Sequence, residues 1–326
     1  MNIIYASDNH FAPILAVSLM SLYQFNRNVN VMIIEHEISE ENKKILNGIT
    51  EKYAEPSIIY QKISLAEMEW DIKLVQDRGS AAQFSRLFFS GLIPEAWKRV
   101  IYLDCDTLIL KSLQELWTQD IEGYIVGGIL DAFSIQNYKL LGIDEKDNLI
   151  NSGVMLIDVE KWKKQKTEQK IIRYIIQRKG KIPQGDQGIL NNVLQGKIKI
   201  LPLIFNEVAY LFDFSYVEIM QYRNPAKYYS LQQVKEAKKN PVIIHFTTSF
   251  ASMRPWQEGC SHMYAKYWKE YYLSLFTDFK TENKKIPVLK SVMMKMMKGR
   301  ARHLLLKVVG ILHSYVKPML YKMKRG

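Results

Sequence analysis

Short β-branched runs alternate with longer amphipathic stretches through the first half of the chain. Asn2–Ala6, Val29–Ile34, Ser57–Tyr60, Arg99–Leu103, Tyr124–Ile129 and Val154–Ile157 predict strands, and Ala12–Gln24, Ser39–Tyr53, Ser80–Leu92 and Glu160–Gln177 predict helices. Strands that return through helical crossovers lie parallel, so the pattern predicts an α/β fold with a mostly parallel central sheet flanked by helices. Ser39 stands where an N-cap belongs, ahead of Glu40 and Glu41, which suit the positive end of a helix dipole. Further on, Lys197–Leu201 and Val242–Phe246 predict strands, and Asp186–Leu194 and Leu231–Lys239 predict helices. No internal repeat is visible.

Composition adds boundaries. The 326 residues are 48% hydrophobic and 24% charged with 10 Pro and 16 Gly, which excludes a disordered or low-complexity chain. Two cysteines, Cys105 and Cys260, cannot supply a disulfide scaffold, and reduced, cytosolic thiols are expected. The N-terminus meets Asp8 before an apolar run reaches signal-peptide length, and no uncharged apolar run approaches the roughly 18 residues of a spanning helix. Neither secretion nor membrane integration is expected.

Charge divides the chain. Its net charge is +12, from 45 basic and 33 acidic residues, and the segment 284–326 holds 12 Lys and Arg and no acid. Removing those 12 leaves 33 basic residues to balance the 33 acidic ones, so the body is neutral and no nucleic-acid partner is expected. The compositional break at Thr281–Pro287 predicts a catalytic domain over 1–280 and a basic amphipathic tail over 281–326. Drawn as a helix from Leu289, the tail puts positions 292, 293, 296 and 303 on one face and Lys295, Lys298 and Arg302 on the other. Gly299, Arg300 and Lys307 interrupt that face, so two short helices are expected, lying on an anionic membrane surface. The competing reading packs the tail on the body or on acidic partners.

The candidate chemistry begins where Arg99–Leu103 runs into Asp104-Cys105-Asp106. In an extended segment residues i and i+2 project to one side, so two carboxylates converge at a strand end, the edge where open α/β sheets bind ligands. Paired carboxylates call for a hard divalent cation between them, or else mark a solvated turn. Cys105, pointing the other way, reads as a small core residue. Asp8 closes the first strand, Asn151-Ser152-Gly153 precedes another, Gly185-Asp186-Gln187 opens a helical run, and His245 follows Val242–Ile244 with an imidazole a metal can use. Taken singly, Asp8 and Asp186 also read as helix caps and His245 as a core histidine.

In order and spacing these segments resemble the family 8 glycosyltransferases, retaining enzymes of the GT-A nucleotide-diphospho-sugar transferase fold. The resemblance runs from about Met1 to Trp256. It is carried by Ala6-Ser7-Asp8, Ser85-Arg86-Leu87, Tyr102-Leu103-Asp104-Cys105-Asp106, Asn151-Ser152-Gly153, Asp186-Gln187, and His245-Phe246 followed by Pro255-Trp256. It implies that Asp104, Asp106 and His245 ligate Mn²⁺, with Mg²⁺ as a substitute, and that Asp8 reads the uracil of a UDP-sugar. Ala6, Cys105, Ser152 and Asn151 would line the donor pocket, while Arg86, Asp186 and Asp104 would hold the sugar hydroxyls. Gln187 would sit beside the anomeric carbon and Asp131 near the acceptor. The family's segment after the metal histidine carries a Gly and a Lys near the diphosphate; here Arg254 stands in for the Lys and the Gly has no counterpart.

The expected activity is that of a retaining hexosyltransferase, moving galactose or glucose from a UDP-hexose to a glycan or lipid-linked glycan at the inner face of a bacterial membrane. A neutral amide at Gln187 is a poor nucleophile, which favours front-face attack by the acceptor over a covalent intermediate. The alternatives are a protein-directed or self-glycosylating glucosyltransferase, in a chain with 19 Tyr, and a sugar-binding module without turnover.

Overall fold

The computed structural model describes residues 1–63, 82–279, 288–297, 299 and 301–325. Its strands are β1 (Asn2–Asp8), β2 (Asn30–His36), β3 (Ile59–Lys62), β4 (Arg99–Leu103), β5 (Thr107–Ile109), β6 (Val126–Leu130), β7 (Ile150–Asp158), β8 (Ile198–Ile200), β9 (Glu207–Val208) and β10 (Ile243–His245). Seven form the central sheet in the order β3-β2-β1-β4-β7-β6-β8, and β5-β10-β9 form a second, small sheet. Within the large sheet β1, β2, β3 and β4 pair in parallel, as do β6 and β8, and β7 runs antiparallel to both its neighbours. The mostly parallel sheet expected from the alternating pattern is therefore present, with one reversed strand.

That reversal positions the site. The parallel strands β1, β4 and β6 end at one edge, at Asp8, Leu103 and Leu130, and β7, running the other way, begins there with Ile150 and Asn151. The sheet is apolar on both faces, as buried α/β sheets are. Ile3, Tyr5, Val31 and Ile33 pack into one core, and Ile4, Met32, Ile34, Val100 and Tyr102 into the other. Helix Ala12–Phe25 is buried nearly all round, which is why its apolar pattern lacks a polar stripe. The small sheet packs Leu108, Ile244 and Phe246 against that helix and Trp256, which brings β10 over the edge of the large sheet.

Several predicted elements change shape. Ser39 caps helix Glu40–Lys52 as expected, accepting from Asn42 N at 3.3 Å. The expected helix Ser80–Leu92 is helical only at Ala82–Ser85 among its described residues; Phe84, Leu87, Phe88 and Phe89 are all buried, so that run is core rather than one face of a helix. Glu160–Gln177 divides into Val159–Lys164 and Thr167–Gln177, because Lys166 between them adopts φ 53°. Asn151-Ser152-Gly153 lies inside β7 and not ahead of it.

The predicted break at 281–287, and Lys298 and Arg300, lie outside the described residues. Beyond it the tail forms helix Val288–Met297 and helix Arg302–Ile311, which continues through a π turn, Leu312–Val316, into helix Lys317–Arg325. Of the predicted apolar face, Leu289 and Val292 are exposed and Met293 and Met296 lean on the body's core. Arg302, placed on the solvent face by periodicity, instead ion-pairs with Glu218, and Leu305, Leu306 and Val309 are buried against the body. Arg302–Tyr321 is 20 residues long and holds an 18-residue window of mean hydropathy 1.2, enough by length and composition alone to cross a membrane. Gly310 fixes its docking: a Cβ there would lie 2.6 Å from the Gln221 carbonyl oxygen, so the helix approaches Tyr216–Arg223 closely only because this residue is glycine.

Candidate active site

A cavity of about 880 Å³ opens at the edge where β1, β4 and β6 end and β7 begins, and every residue singled out from the sequence as a candidate lines it. On its floor, Asp104 and Asp106 flank His245. The imidazole Nε2 lies 3.5 Å from Asp104 Oδ2 and 3.1 Å from Asp106 Oδ1, although His245 comes from a different sheet. Register explains the meeting: Thr107 pairs with His245 across β5 and β10, and Asp104 N donates to Gly153 O at 2.8 Å. Gly153 must be glycine, since a Cβ there would lie 2.2 Å from His245 Cε1 and 2.8 Å from Asp104 Oδ2.

The donor set fits a divalent cation. The ligand atoms of Asp104, Asp106 and His245 lie within 4.8 Å of one another, and two carboxylates with one imidazole are the mixed hard and borderline donors that Mn²⁺ accepts. The Asn206 side-chain carbonyl lies 3.0 Å from His245 Nδ1, so that Nδ1–H donates to it and Nε2 faces the carboxylates, the orientation of a metal-bound histidine. Burial by itself would raise the Asp106 carboxyl, but His245 and Arg254 beside it prevail and hold it at about 2. Burial likewise disfavours the imidazolium of His245, and the carboxylates of Asp106 and Asp104 outweigh it.

Arg86 organises the adjoining wall. Its Nη1 lies 2.6 Å from Asp104 Oδ1, its Nε 3.1 Å from Asp186 Oδ2, and its guanidinium 4.7 Å over the Tyr102 ring. Burial pushes the Asp186 carboxyl upward even with Arg86 beside it. Asp186 and Gln187 are delivered by a tight turn, with Gln184 at φ 61° and Gly185 at φ 57° opening helix Gly185–Val193 one residue earlier than periodicity indicates. Ser152 ties this turn to β7: its N–H donates to Gln187 Oε1 at 3.3 Å and its hydroxyl reaches Asp186 Oδ2 at 3.5 Å.

Arg254 Nη2 meets Asp106 Oδ2 at 3.0 Å, with its guanidinium over Trp256. Asp8 Oδ1 accepts from Phe11 N at 2.9 Å, so it caps the turn after β1 and also faces the cavity. Ala6 offers its carbonyl to Cys105 Sγ at 3.2 Å, and burial raises the Cys105 thiol, as suits a core residue and not a nucleophile.

Asp131 is the most heavily bound carboxylate of the far wall. Its Oδ1 faces Arg223 Nη2 at 3.1 Å and accepts from Tyr210 OH at 3.3 Å, while Oδ2 accepts from Gln187 Nε2 at 3.3 Å and Asn151 Nδ2 at 3.4 Å. Sequence reasoning missed Tyr102, Asn206, Tyr210 and Arg223. Tyr102 carried a signal, since it stands two residues before Asp104 on the same side of the strand and donates to Asp104 Oδ1 at 3.0 Å. Arg223 carried none: it lies in an ordinary helix, 92 residues from the carboxylate it serves.

The profile of the family described as Glycosyl transferase family 8 matches residues 2–260. General stress protein A of Bacillus subtilis is 28% identical over 270 residues, which cover 81% of this chain and 90% of that protein. The lipopolysaccharide 1,2-glucosyltransferase of Escherichia coli is 23% identical over 279 residues, 82% of this chain and 76% of its own. The crystal structure of the galactosyltransferase LgtC in complex with donor and acceptor sugar analogs superposes with a TM-score of 0.70 at 21% identity, covering 90% of this chain and 99% of that one.

Proposed function

The chain belongs to glycosyl transferase family 8 and is a glycosyltransferase; on that premise we propose that it is a retaining hexosyltransferase using a UDP-hexose donor and a glycan acceptor of a bacterial surface polysaccharide or glycolipid. The observation that carries this reading is the meeting of Asp104, Asp106 and His245 beside the Arg86–Asp186 pair in one cavity. Asp104, Asp106 and His245 would hold Mn²⁺, which when bound stabilises negative charge on a diphosphate leaving group. Asp8, with Ala6, would meet the base, Arg254 the diphosphate, and Arg86, Asp104, Asp186, Asn151 and Ser152 the sugar.

Gln187 and Asp131 share a hydrogen bond at the junction of the two walls, where acceptor and anomeric carbon would meet. Gln187 lacks the charge to serve as a nucleophile. Asp131 is bound by Arg223 and Tyr210, which orient it to accept a hydrogen bond from the incoming hydroxyl without requiring it to take the proton. Front-face attack with the proton passing to the departing phosphate then needs no carboxylate nucleophile.

The tail would hold the enzyme on an anionic membrane face. Leu304, Val308, Ile311, Leu312, Tyr315 and Met319 are exposed at helical spacing, with Lys307 and Lys317 exposed along the same stretch and Lys295 on helix Val288–Met297. Co-sedimentation with phosphatidylglycerol vesicles should be lost on removing residues 284–326 and weaken with salt; equal binding by the truncated protein would contradict it.

A nucleotide-sugar panel tests the donor assignment. UDP release from UDP-galactose or UDP-glucose with Mn²⁺ present is expected, and release only from sugars of another nucleotide would overturn it. Intact mass after incubation with UDP-glucose alone separates the self-glycosylating alternative, which requires a gain of one hexose or more.

A further inference from the structure

A second cavity, of about 490 Å³, lies between the tail and the body, lined by Tyr222, Phe250, Val309, Leu312, Val316 and Leu320 among others. It is apolar, whereas the reaction cavity is lined with charge. The two adjoin: Tyr222, Phe250, His313, Lys317 and Tyr321 line both. Such a groove is roughly three times the size of the ~150 Å³ dry cavity that takes up benzene.

The groove is built by specific contacts. Ser134 Oγ donates to the Ser314 carbonyl at 2.9 Å and Ser314 Oγ donates to the Arg223 carbonyl at 3.0 Å, so the π turn is tied to the body at the groove's inner end. Arg223 in turn faces His313 Nε2 at 3.0 Å and Asp131 at 3.1 Å. One bonded chain thus runs from the groove wall to the proposed acceptor carboxylate. At the outer end Leu312 and Leu320 are about half exposed, so the groove opens on the side of the tail that carries the exposed apolar stripe.

We propose that this groove takes the hydrocarbon chain of a lipid-linked acceptor, with the chain between tail and body, its phosphate at the neck beside Lys317, and its sugar at Asp131 and Gln187. The proposal rests on the transferase reading above and deepens it by naming the aglycone. An apolar chain lying there removes Leu312, Val316 and Leu320 from water, and a chain taken up from solution also leaves water itself, a gain that grows with each buried methylene. The cation at the neck, between an apolar groove and a polar cavity, matches an anionic group between hydrocarbon and glycan. The exposed stripe would rest on the membrane while the groove draws one chain out of it.

The test titrates the full-length protein, with dodecyl phosphate, butyl phosphate and inorganic phosphate, each below micelle-forming concentration. Dodecyl phosphate should bind with one-to-one stoichiometry at least about tenfold more tightly than butyl phosphate, since burying even a few methylenes supplies that factor. Val316→Trp, which fills the groove, and Leu320→Gln, at its exposed mouth, should each reduce the difference to about threefold or less, and sedimentation of Val316→Trp with phosphatidylglycerol vesicles should be unchanged. Equal affinity for the two chain lengths, tight binding of inorganic phosphate alone, or dodecyl binding untouched by both variants would overturn the proposal. So would loss of vesicle binding in Val316→Trp, which would assign that residue to the membrane surface. UDP-hexose hydrolysis with Mn²⁺ is measured on the same samples: its absence in the wild type fails the transferase reading, while chain selectivity stands or falls separately.

Discussion

The two walls of the reaction cavity are built from different material. In one wall Asp8, Asp104 and Asp106 stand at strand ends or in the turn directly after one, and Arg86, just past helix Ala82–Ser85, is anchored on Asp104 and Asp186. The opposite wall, around Asp131, is assembled from remote pieces: Tyr210 and Arg223, both bonded to Asp131, and the tail's His313, which faces Arg223. In the first, the carboxylates inherit their places from a buried sheet. The second depends on a helix that must dock before the site is complete. We take the first as the half that binds the donor and the second as the half that selects the acceptor.

The largest effect should fall on the sheet-borne wall. Asp104→Ala or Asp106→Ala should lower transfer by about a thousandfold or more, by removing metal ligands that sit at a strand end and not in the core. Chelation should reproduce the loss, and thermal unfolding should shift by no more than a few degrees. Near-normal activity of either variant in metal-depleted buffer would remove the distinction between the walls. Next, Asp186→Asn should lower kcat about a hundredfold and leave UDP affinity within about threefold, because its proposed contacts are with the sugar. Calorimetry with UDP decides, and a parallel loss of UDP affinity would move Asp186 to the nucleotide.

Legibility in the sequence follows the same division. Asp104 and Asp106 were readable as a converging pair because strand alternation sends residues i and i+2 to one side, whereas Asp8, Asp186 and Gln187, which element ends alone leave as caps, were singled out through the resemblance to the family. The register joining Thr107 to His245 was not readable, since β5 and β10 are three residues each and too short for periodicity. Nor was the role of Arg302, which periodicity assigns to solvent and Glu218 claims. The reversal of β7 was hidden too, because a fully buried strand shows the same apolar run in either direction.

On the assembled wall the expected effects are smaller. Arg223→Met releases Asp131 and should lower acceptor-dependent transfer about tenfold while leaving UDP-hexose hydrolysis within about twofold; equal loss of both would make Arg223 part of the donor half. The smallest effect should come from Glu218, which Arg302 of the tail bonds and thereby holds at about 2, well below its ordinary 4.5. A carboxyl depressed in the folded state stabilises docking fully above pH 4.5 and loses that contribution as pH falls toward 2. Because the pair is partly open to solvent, we expect only about 1 kcal/mol. Glu218→Gln should therefore flatten the acid limb of tail docking, read as the rate of peptic cleavage in the tail, and an unchanged limb would show that the ion pair does not hold it.

The central claim, that the sheet-borne wall binds the donor through a divalent ion on Asp104, Asp106 and His245, is tested most directly by titrating UDP into the protein with and without Mn²⁺. Mn²⁺ should tighten UDP binding by about tenfold or more in the wild type and leave it unchanged in Asp106→Asn. UDP affinity that is equally high in chelator, or that responds to Mn²⁺ as strongly in Asp106→Asn as in the wild type, would contradict it.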